Sequence, residues 1–585
     1  MTDPVILEVC EQLELNDPRW TSLSFSALPV FRISVADTER LLKALLVNTV
    51  VMELDMSIAP LDNAALCRIS WLLQQVLSRR ECNIRTLTIS SGGPQSCWAV
   101  GRALQSNTSV KKWEVGLASC FFEDNISDVI DAKVCQEIHA ALTLSGIEDF
   151  TLRHVQVTSD GMPWLVQGLQ SVEHVELHQI SADTNIFEYL PGLCGSLKSL
   201  SMIQCRTTKQ NCNFQTTPST STSTMYRAEN LKTLRIAECE SEDFCSFLFR
   251  LECGESFSKL DLRDSMMADE WIPGLAEWMG KLTNIEKIIL EGCCLKDDTL
   301  TTIMSQISSH ENLRELFLQR NKLEGTMTNT TKLPPNLKSI NLSENQRIGD
   351  STFLPHIITN NPQVQEWWLA ATGMTVSGLS ALCRAISDKK EGERVMSVLH
   401  LDHNRINGRG IRVLSQFLSS TLVHVKELYL SNCGLDDEDI AVLAESLKGH
   451  QCLKKLCLAF NEFGNTSCRI LAETCVHMPL LDSLDIPFGK FDSDGLAHFL
   501  PALKKNPRLS DLTYWNYSAC RGKESEIEKD LPFWLRLNQA GRRVAMEDQI
   551  SSNLFPTILE RAYRVGKEDA LLYIIRENIT RLVNK

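Results

Sequence analysis

Three stretches of the chain hold residue types that could do chemistry. His174-Val-Glu176-Leu-His178 alternates imidazole and carboxylate, as a metal or general-base site would. On a strand all three side chains share one face, but the histidines then stand about 13 Å apart and cannot ligate one ion. A His/Glu pair would need more ligands from adjacent strands, where Arg153 and Ser199 are poor donors. His400-Leu-Asp402-His403 fails in a similar way, because His403 falls in a turn. Gly274 to Lys281 approximates a phosphate loop, with one residue too many between Gly274 and Gly280 and Leu282 where a Mg²⁺-binding hydroxyl belongs. Ile272, Leu275, Ala276 and Met279 recur there at helical spacing, which places the glycines on a helix. No Gly-x-Ser-x-Gly elbow and no His-Glu-x-x-His helix appears. The expectation is a chain without a catalytic centre, a metal or a cofactor.

The elements that carry these residues declare themselves by repetition. Leu337-x-x-Ile340-x-Leu342-x-x-Asn345 has clear copies at Leu313/Leu316/Leu318/Asn321, Met396/Leu399/Leu401/Asn404 and Leu453/Leu456/Leu458/Asn461. Looser copies extend along almost the whole sequence, giving about eighteen units at a mean spacing of roughly 29 residues. Residues 425–452 show one unit in full. Val425, Leu428 and Leu430 alternate as a short strand, and Cys433-Gly434-Leu435 turns the chain. Asp436, Asp437, Glu438 and Asp439 put negative charge at a helix N-terminus, Ile440, Leu443, Ala444 and Leu447 form the helix's apolar face, and Gly449 ends it.

This pattern resembles a leucine-rich repeat of the ribonuclease-inhibitor-like class. The resemblance covers roughly residues 1–518 and is clearest from Ile285 to Leu512. It implies an α/β fold: a curved solenoid, or horseshoe, with a parallel β-sheet on the concave face and helices on the convex face. The expected organisation is an N-terminal helical cap (1–19, with Ile6, Leu7, Cys10 and Leu13), the solenoid (20–518) and a C-terminal helical cap (519–585). A Ser/Thr-rich insertion at 206–229 loses the apolar period and reads as a flexible loop. In the tail, Glu524 to Asn538, Leu554 to Tyr563 and Asp569 to Val583 read as three helices. The words Phe533-Trp534-Leu535-Arg536-Leu537-Asn538-Gln539-Ala540-Gly541-Arg542-Arg543 and Ile558-Leu559-Glu560-Arg561-Ala562 resemble the tail of many diatom leucine-rich repeat proteins. A separate docking role for Arg542 and Arg543 is the alternative to capping.

Composition narrows the class of partner. The 585 residues carry a formal charge of -14, which argues against non-specific binding to nucleic acid or to anionic membrane. Residues 1–20 carry Asp3, Glu8, Glu11 and Glu14 without an apolar core, unlike a secretory signal. Of 21 cysteines, Cys205, Cys239, Cys293 and Cys433 fall on the turn position that Asn holds elsewhere, which suits reduced structural thiols in a cytoplasmic or nuclear protein.

Specificity must then sit at the strand positions that the core does not use. From Ile289 onward these become large and apolar or aromatic: Ile289, Phe317, Trp368, His400 and Tyr429, with Asn341 as a polar gap. Glu315, Glu366, Asp402 and Glu427 share the face. Aromatics ringed by acids suit a protein-binding hot spot, so these ten residues are the expected contact surface for a partner with apolar and basic groups. The function expected is a non-enzymatic interaction scaffold. The alternative is a regulator of a small GTPase resembling the Ran GTPase-activating proteins, which use a working Arg in a repeat loop and a long acidic tail. Here the tail is mixed and holds Arg542, Arg543, Arg561 and Arg564.

Overall fold

A computed structural model describes residues 4–28, 33–57, 63–90, 93–116, 128–193, 195–207, 225–327, 332–388, 395–420, 424–514, 526–542 and 555–577. The chain divides into two compact units, residues 1–293 and 294–585.

In the first unit a parallel ladder runs Ser22–Ser24, Glu53–Ser57, Thr86–Ser90, Lys112–Gly116, Asp149–Val157, His174–Ala182, Ser199–Ile203, Thr233–Ala237, Lys259–Asp261 and Lys287–Ile289. Parallel neighbours in chain order need a crossover each time, and helices such as Val35–Leu45, Gly93–Leu104 and Ala132–Ser145 supply it. Helix Pro4–Glu14 packs on Val35–Leu45 and buries Ile6, Val9, Cys10 and Leu13. Leu7, expected on that buried face, is 42% exposed. Residues 208–224 of the Ser/Thr-rich insertion lie outside the described residues. Beside them, Tyr226–Ala228 and Leu251–Cys253 form a separate two-stranded parallel sheet that the sequence reading did not include.

The second unit is more regular. Its strands are Glu315–Phe317, Ser339–Asn341, Glu366–Trp368, Val395–His400, His424–Tyr429, Lys455–Cys457, Ser483–Asp485 and Asp511–Thr513, each parallel to the next. Most are three residues long, and the middle residue faces the core: Leu316, Ile340, Trp367, Leu399 and Leu428 are at most 1% exposed. Ile440, Leu443, Ala444 and Leu447 of helix Asp437–Leu447 are fully buried, as their spacing requires. Packed helices need 8–10 Å per repeat and strands about 4.8 Å, so each unit curves with its sheet on the inside.

The turn asparagines explain the strict letter at the end of the phrase. Asn461 Nδ2 donates to Leu430 O (2.8 Å) and Leu458 O (2.9 Å), while its Oδ1 accepts from Cys433 N (3.0 Å) and Leu435 N (3.1 Å). One buried amide thus satisfies backbone groups of its own repeat and of the one before. Asn404 does the same for Leu369 O, Leu401 O, Thr372 N and Met374 N. A thiol does less. Cys433 Sγ donates to Leu401 O at 3.5 Å and Cys293 Sγ to Leu262 O at 3.0 Å. Cys205, Cys239, Cys293 and Cys433 are all buried, and burial pushes Cys205 and Cys433 up to about 12.

The acidic run 436–439 does more than face a helix dipole. Asp436 caps its own helix, accepting from Asp439 N at 3.0 Å. Asp439 reaches back to Gly408 N (2.8 Å), and Asp437 reaches forward to Gly464 N (3.0 Å), Ser467 N (3.1 Å) and the Ser467 hydroxyl. Asp297 and Asp350 bind the next repeat in the same manner, through Thr326 N (2.6 Å) and Thr375 N (2.8 Å). Consecutive repeats are therefore stitched by charged hydrogen bonds as well as by apolar contact.

The tail closes the open end of this unit. Helix Glu526–Gln539, with Pro532 inside it, packs on Phe499–Lys505. Asn538 Nδ2 donates to Leu509 O (2.8 Å), and Arg542 donates to Leu503 O (3.1 Å), Lys504 O and Asn538 Oδ1 (3.1 Å). The Arg542 guanidinium lies 4.8 Å from the Trp534 ring centre. Arg542 is buried and so offers no docking charge, which corrects that alternative; Arg543 lies outside the described residues. The two further tail helices are instead one, Phe555–Glu577, which packs on Glu526–Gln539 around Leu537, Ala540, Ala562 and Ile574. Among the described residues no helix is long and apolar enough to cross a membrane.

Candidate protein-binding surface

Strand register sets the surface residues of the second unit in columns. Phe317, Asn341, Trp368, His400, Tyr429, Cys457, Asp485 and Thr513 occupy successive positions of one column. Glu315, Ser339, Glu366, Val398, Glu427, Lys455, Ser483 and Asp511 form the column beside it. Each strand buries its central residue in the core, and period-two alternation turns both neighbours to the open face.

Three rings stack along the first column. The Trp368 and His400 centroids are 4.8 Å apart with planes at 29°, and His400 and Tyr429 are 4.7 Å apart at 28°. The Tyr429 hydroxyl donates to Glu427 Oε2 at 2.8 Å. Burial, and then Glu427, push that phenol well above its ordinary value. Lys455 Nζ stands 5.4 Å from the Tyr429 ring centre and 3.4 Å from Asp485 Oδ2. His400 Nε2 is 3.4 Å from Asp402 Oδ2, and Asp402 Oδ1 accepts from Ser431 N at 2.6 Å. His403 stands in the turn at a φ of 59°, as expected, beside Asn432 Nδ2 at 2.9 Å.

The register thus brings Phe317, Asn341, Trp368, His400 and Tyr429 onto adjacent strands, with Glu315, Glu366, Asp402 and Glu427 on the same face. Two expectations need correction. Trp368, His400 and Tyr429 are half-buried, because they stack on one another across strands. Ile289 belongs to the first unit and is 4% exposed, so it offers almost no surface to a partner. Sequence reasoning missed Lys455, although it occupies the same column as Glu366 and Glu427, and Gln319, whose buried Oε1 finds no hydrogen-bond donor among the described residues.

The other chemical candidates resolve into packing and ion pairs. Arg153 lies 3.5 Å from Glu176, and His174 Nε2 is 4.0 Å from Asp149. His178 packs against His154 with centroids 5.6 Å apart, and burial lowers both imidazoles. Further along, Arg263 chelates the buried Asp261 at 2.8 Å. Among the described residues no three His, Cys, Asp or Glu side chains converge on a metal-sized space. Gly274 sits on helix Ile272–Gly280, where an added Cβ would stand 2.8 Å from the Phe249 ring, so it is a packing glycine.

The stacked strand-turn-helix units with asparagine turns define a leucine-rich repeat protein. The family model described as "Leucine Rich repeat" matches residues 334–351 and 421–444. The units are of the ribonuclease-inhibitor-like class. Ribonuclease inhibitor of Mus musculus is 25% identical over 256 residues, covering 43% of this chain and 50% of that protein. NACHT, LRR and PYD domains-containing protein 3 of Mus musculus is 26% identical over 247 residues, covering 41% of this chain and 21% of the relative. The chain thus spans between a fifth and a half of the length of these two relatives. The solved structure described as "Crystal structure of TLR13-ssRNA13 complex" is similar at 13% identity and a TM-score of 0.41, over 80% of this chain and 61% of that one.

Proposed function

We propose that the protein is a non-enzymatic scaffold that binds a protein partner on the sheet face of its second unit. The observation that carries this reading is the Trp368–His400–Tyr429 stack, a rigid aromatic ridge that the core does not require, since Trp367, Leu399 and Leu428 already fill it. Glu315, Glu366, Asp402 and Glu427 on the same face favour a partner with basic groups around an apolar patch. A relative is named an inhibitor of ribonuclease, itself a protein target, which fits this use of the repeats. The buried thiols suit the cytoplasm or nucleus.

The test is capture of partners by cross-linking to the wild-type chain beside Trp368→Ala/Tyr429→Ala, with circular dichroism to confirm that the variant folds. A partner lost only from the double variant supports the reading. A folded double variant that keeps every partner ends it. Stimulated GTP hydrolysis by a co-purifying small GTPase would favour the regulator instead.

A further inference from the structure

Within the first unit, strands Ser199–Ile203, Thr233–Ala237, Lys259–Asp261 and Lys287–Ile289 lie side by side in one register. Leu234 and Leu260 are buried at the centres of their strands, so Arg235 and Asp261 turn to the open face, with Thr233 and Lys259 in the column beside them. Side-chain contacts agree with that assignment. Thr233 Oγ1 donates to Ser199 Oγ at 2.7 Å, and Arg235 Nε lies 3.8 Å from Asp261 Oδ2.

Charge on this patch does not balance. Asp261 is 1% exposed, and its carboxylate is taken up by Arg263, whose Nε and Nη2 reach the two oxygens at 3.0 and 2.8 Å. Arg235 is left in the outer place. Its Nε is buried without an acceptor, and its terminal nitrogens make no hydrogen bond among the described residues, although the side chain is 40% exposed. Lys259 stands diagonally across from it, with Cα positions about 8 Å apart, and its ammonium meets no carboxylate among the described residues. Directly opposite Lys259 in the register is a third cation, Lys287, and like charges so placed repel. Two long cationic side chains, Arg235 and Lys259, can therefore converge on one point above the sheet. The complement is a group with two oxygens and one negative charge. The end of a guanidinium presents parallel N–H groups that a carboxylate accepts as a pair, and the ammonium adds a third donor. Ser201, beside Arg235 on the preceding strand, adds a hydroxyl that makes no hydrogen bond among the described residues. Glu176 and Glu291 stand two strands from Arg235 on either side, which penalises a doubly charged phosphate more than a carboxylate.

We propose that this patch docks an acidic side chain of a partner protein, its carboxylate held by the terminal nitrogens of Arg235 and by the Lys259 ammonium. The site lies in the first unit, goes beyond the aromatic ridge and does not depend on it.

The full chain carrying lysine labelled with carbon-13 at Cε supplies the test, with the Lys259 resonance assigned by its loss in Lys259→Arg. Three blocked tripeptides, differing only in a central glutamate, glutamine or phosphoserine, are titrated in at matched ionic strength. The glutamate peptide shifts the Lys259 resonance saturably, the glutamine peptide binds at least about tenfold more weakly, and phosphoserine gains nothing over glutamate. Arg235→Gln weakens the glutamate peptide about tenfold. Ser201→Asp sets a carboxylate beside Arg235 within the chain and abolishes the response, with circular dichroism to confirm that both variants fold. A Lys259 resonance that ignores the glutamate peptide overturns the proposal, as does an equal response to glutamine or undiminished binding by Arg235→Gln or Ser201→Asp. Tenfold tighter binding of phosphoserine overturns it in favour of a phosphate site. Trp368→Ala/Tyr429→Ala leaves the titration unchanged, so the acid site and the scaffold reading stand or fall separately.

Discussion

His400 Nε2 stands 3.4 Å from Asp402 Oδ2, yet burial and not the carboxylate sets the charge of the imidazole. Burial between Trp368 and Tyr429 lowers the His400 pKa below 6.5, against the opposing pull of Asp402, and burial raises Asp402 above 3.8. The ridge is therefore stacked around a neutral ring. Because the folded state binds the His400 proton less readily than the unfolded chain, this contribution is fully present above 6.5 and is lost as pH falls below it. An NMR titration of the His400 ring protons is expected to show a midpoint under 6.5. His400→Gln should flatten the pH dependence of stability in that window, and a midpoint above 6.5 would show the ion pair in command.

Asn461→Ala is expected to destabilise the second unit by about 2–4 kcal/mol, since it strips partners from the buried carbonyls of Leu430 and Leu458 and the N–H groups of Cys433 and Leu435. Cys433→Ala, at the equivalent position one repeat earlier, should cost distinctly less, because it removes only long thiol contacts. Urea unfolding of the two variants side by side checks the order. Equal losses would mean that volume and not hydrogen bonding makes the position strict.

Asp437 gives the acidic side of the pH profile. Burial pushes its carboxyl up, but the Ser467 hydroxyl and the Gly464 and Ser467 N–H groups outweigh that and hold it below 3.8. A carboxyl depressed in the folded state stabilises above its unfolded pKa and loses that contribution as pH falls through the folded value. Asp437→Ala should cost about 1–2 kcal/mol at neutral pH, allowing for its partial exposure, and distinctly less at a pH well below 3.8. Unfolding measured at both pH values distinguishes this from a pH-independent loss of packing.

Arg542→Ala is expected to loosen the tail, because Leu503 and Lys504 would lose the donor that covers their carbonyls at the end of helix Phe499–Lys505. Limited proteolysis should then cut within helix Glu526–Gln539 at rates at which the wild type resists. Arg542→Lys should not restore resistance, since an ammonium cannot span both carbonyls and stack on Trp534. Unchanged proteolysis in Arg542→Ala would mean that the apolar contacts around Leu537 suffice.

The repeat and its inward letters were legible because they obey a period. Trp367 and Trp368 are adjacent and chemically identical, and alternation alone told the core residue from the surface one. The burial of Ile289 was not legible, since alternation along a strand assigns a face and not an exposure. Nor was the stitching by Asp437 and Asp439, because no local pattern says which backbone N–H a carboxylate will meet one repeat away. The sequence reading ends one tail helix at Tyr563 and begins the next at Asp569, whereas a single helix runs through Gly566, where one glycine costs only about 1 kcal/mol. Lys455 and Gln319 became visible only once register fixed the columns.

The turn that follows each strand repeatedly places a residue other than glycine in the left-handed region, among them Arg320, Glu344, His403, Asn432, Phe460 and Phe488. That conformation burdens an L-residue by about 1 kcal/mol and glycine hardly at all. The edge along these turns is thus a row of sites where heat resistance could be engineered without touching core or sheet face. Glu344→Gly should raise the melting temperature, and a fall would mean that glycine's extra freedom in the unfolded chain outweighs the relief. Phe460 makes the point from the other side. It is 54% exposed and stacks on Phe488 at 4.3 Å, so the protein tolerates a strained backbone there to keep two rings at its rim.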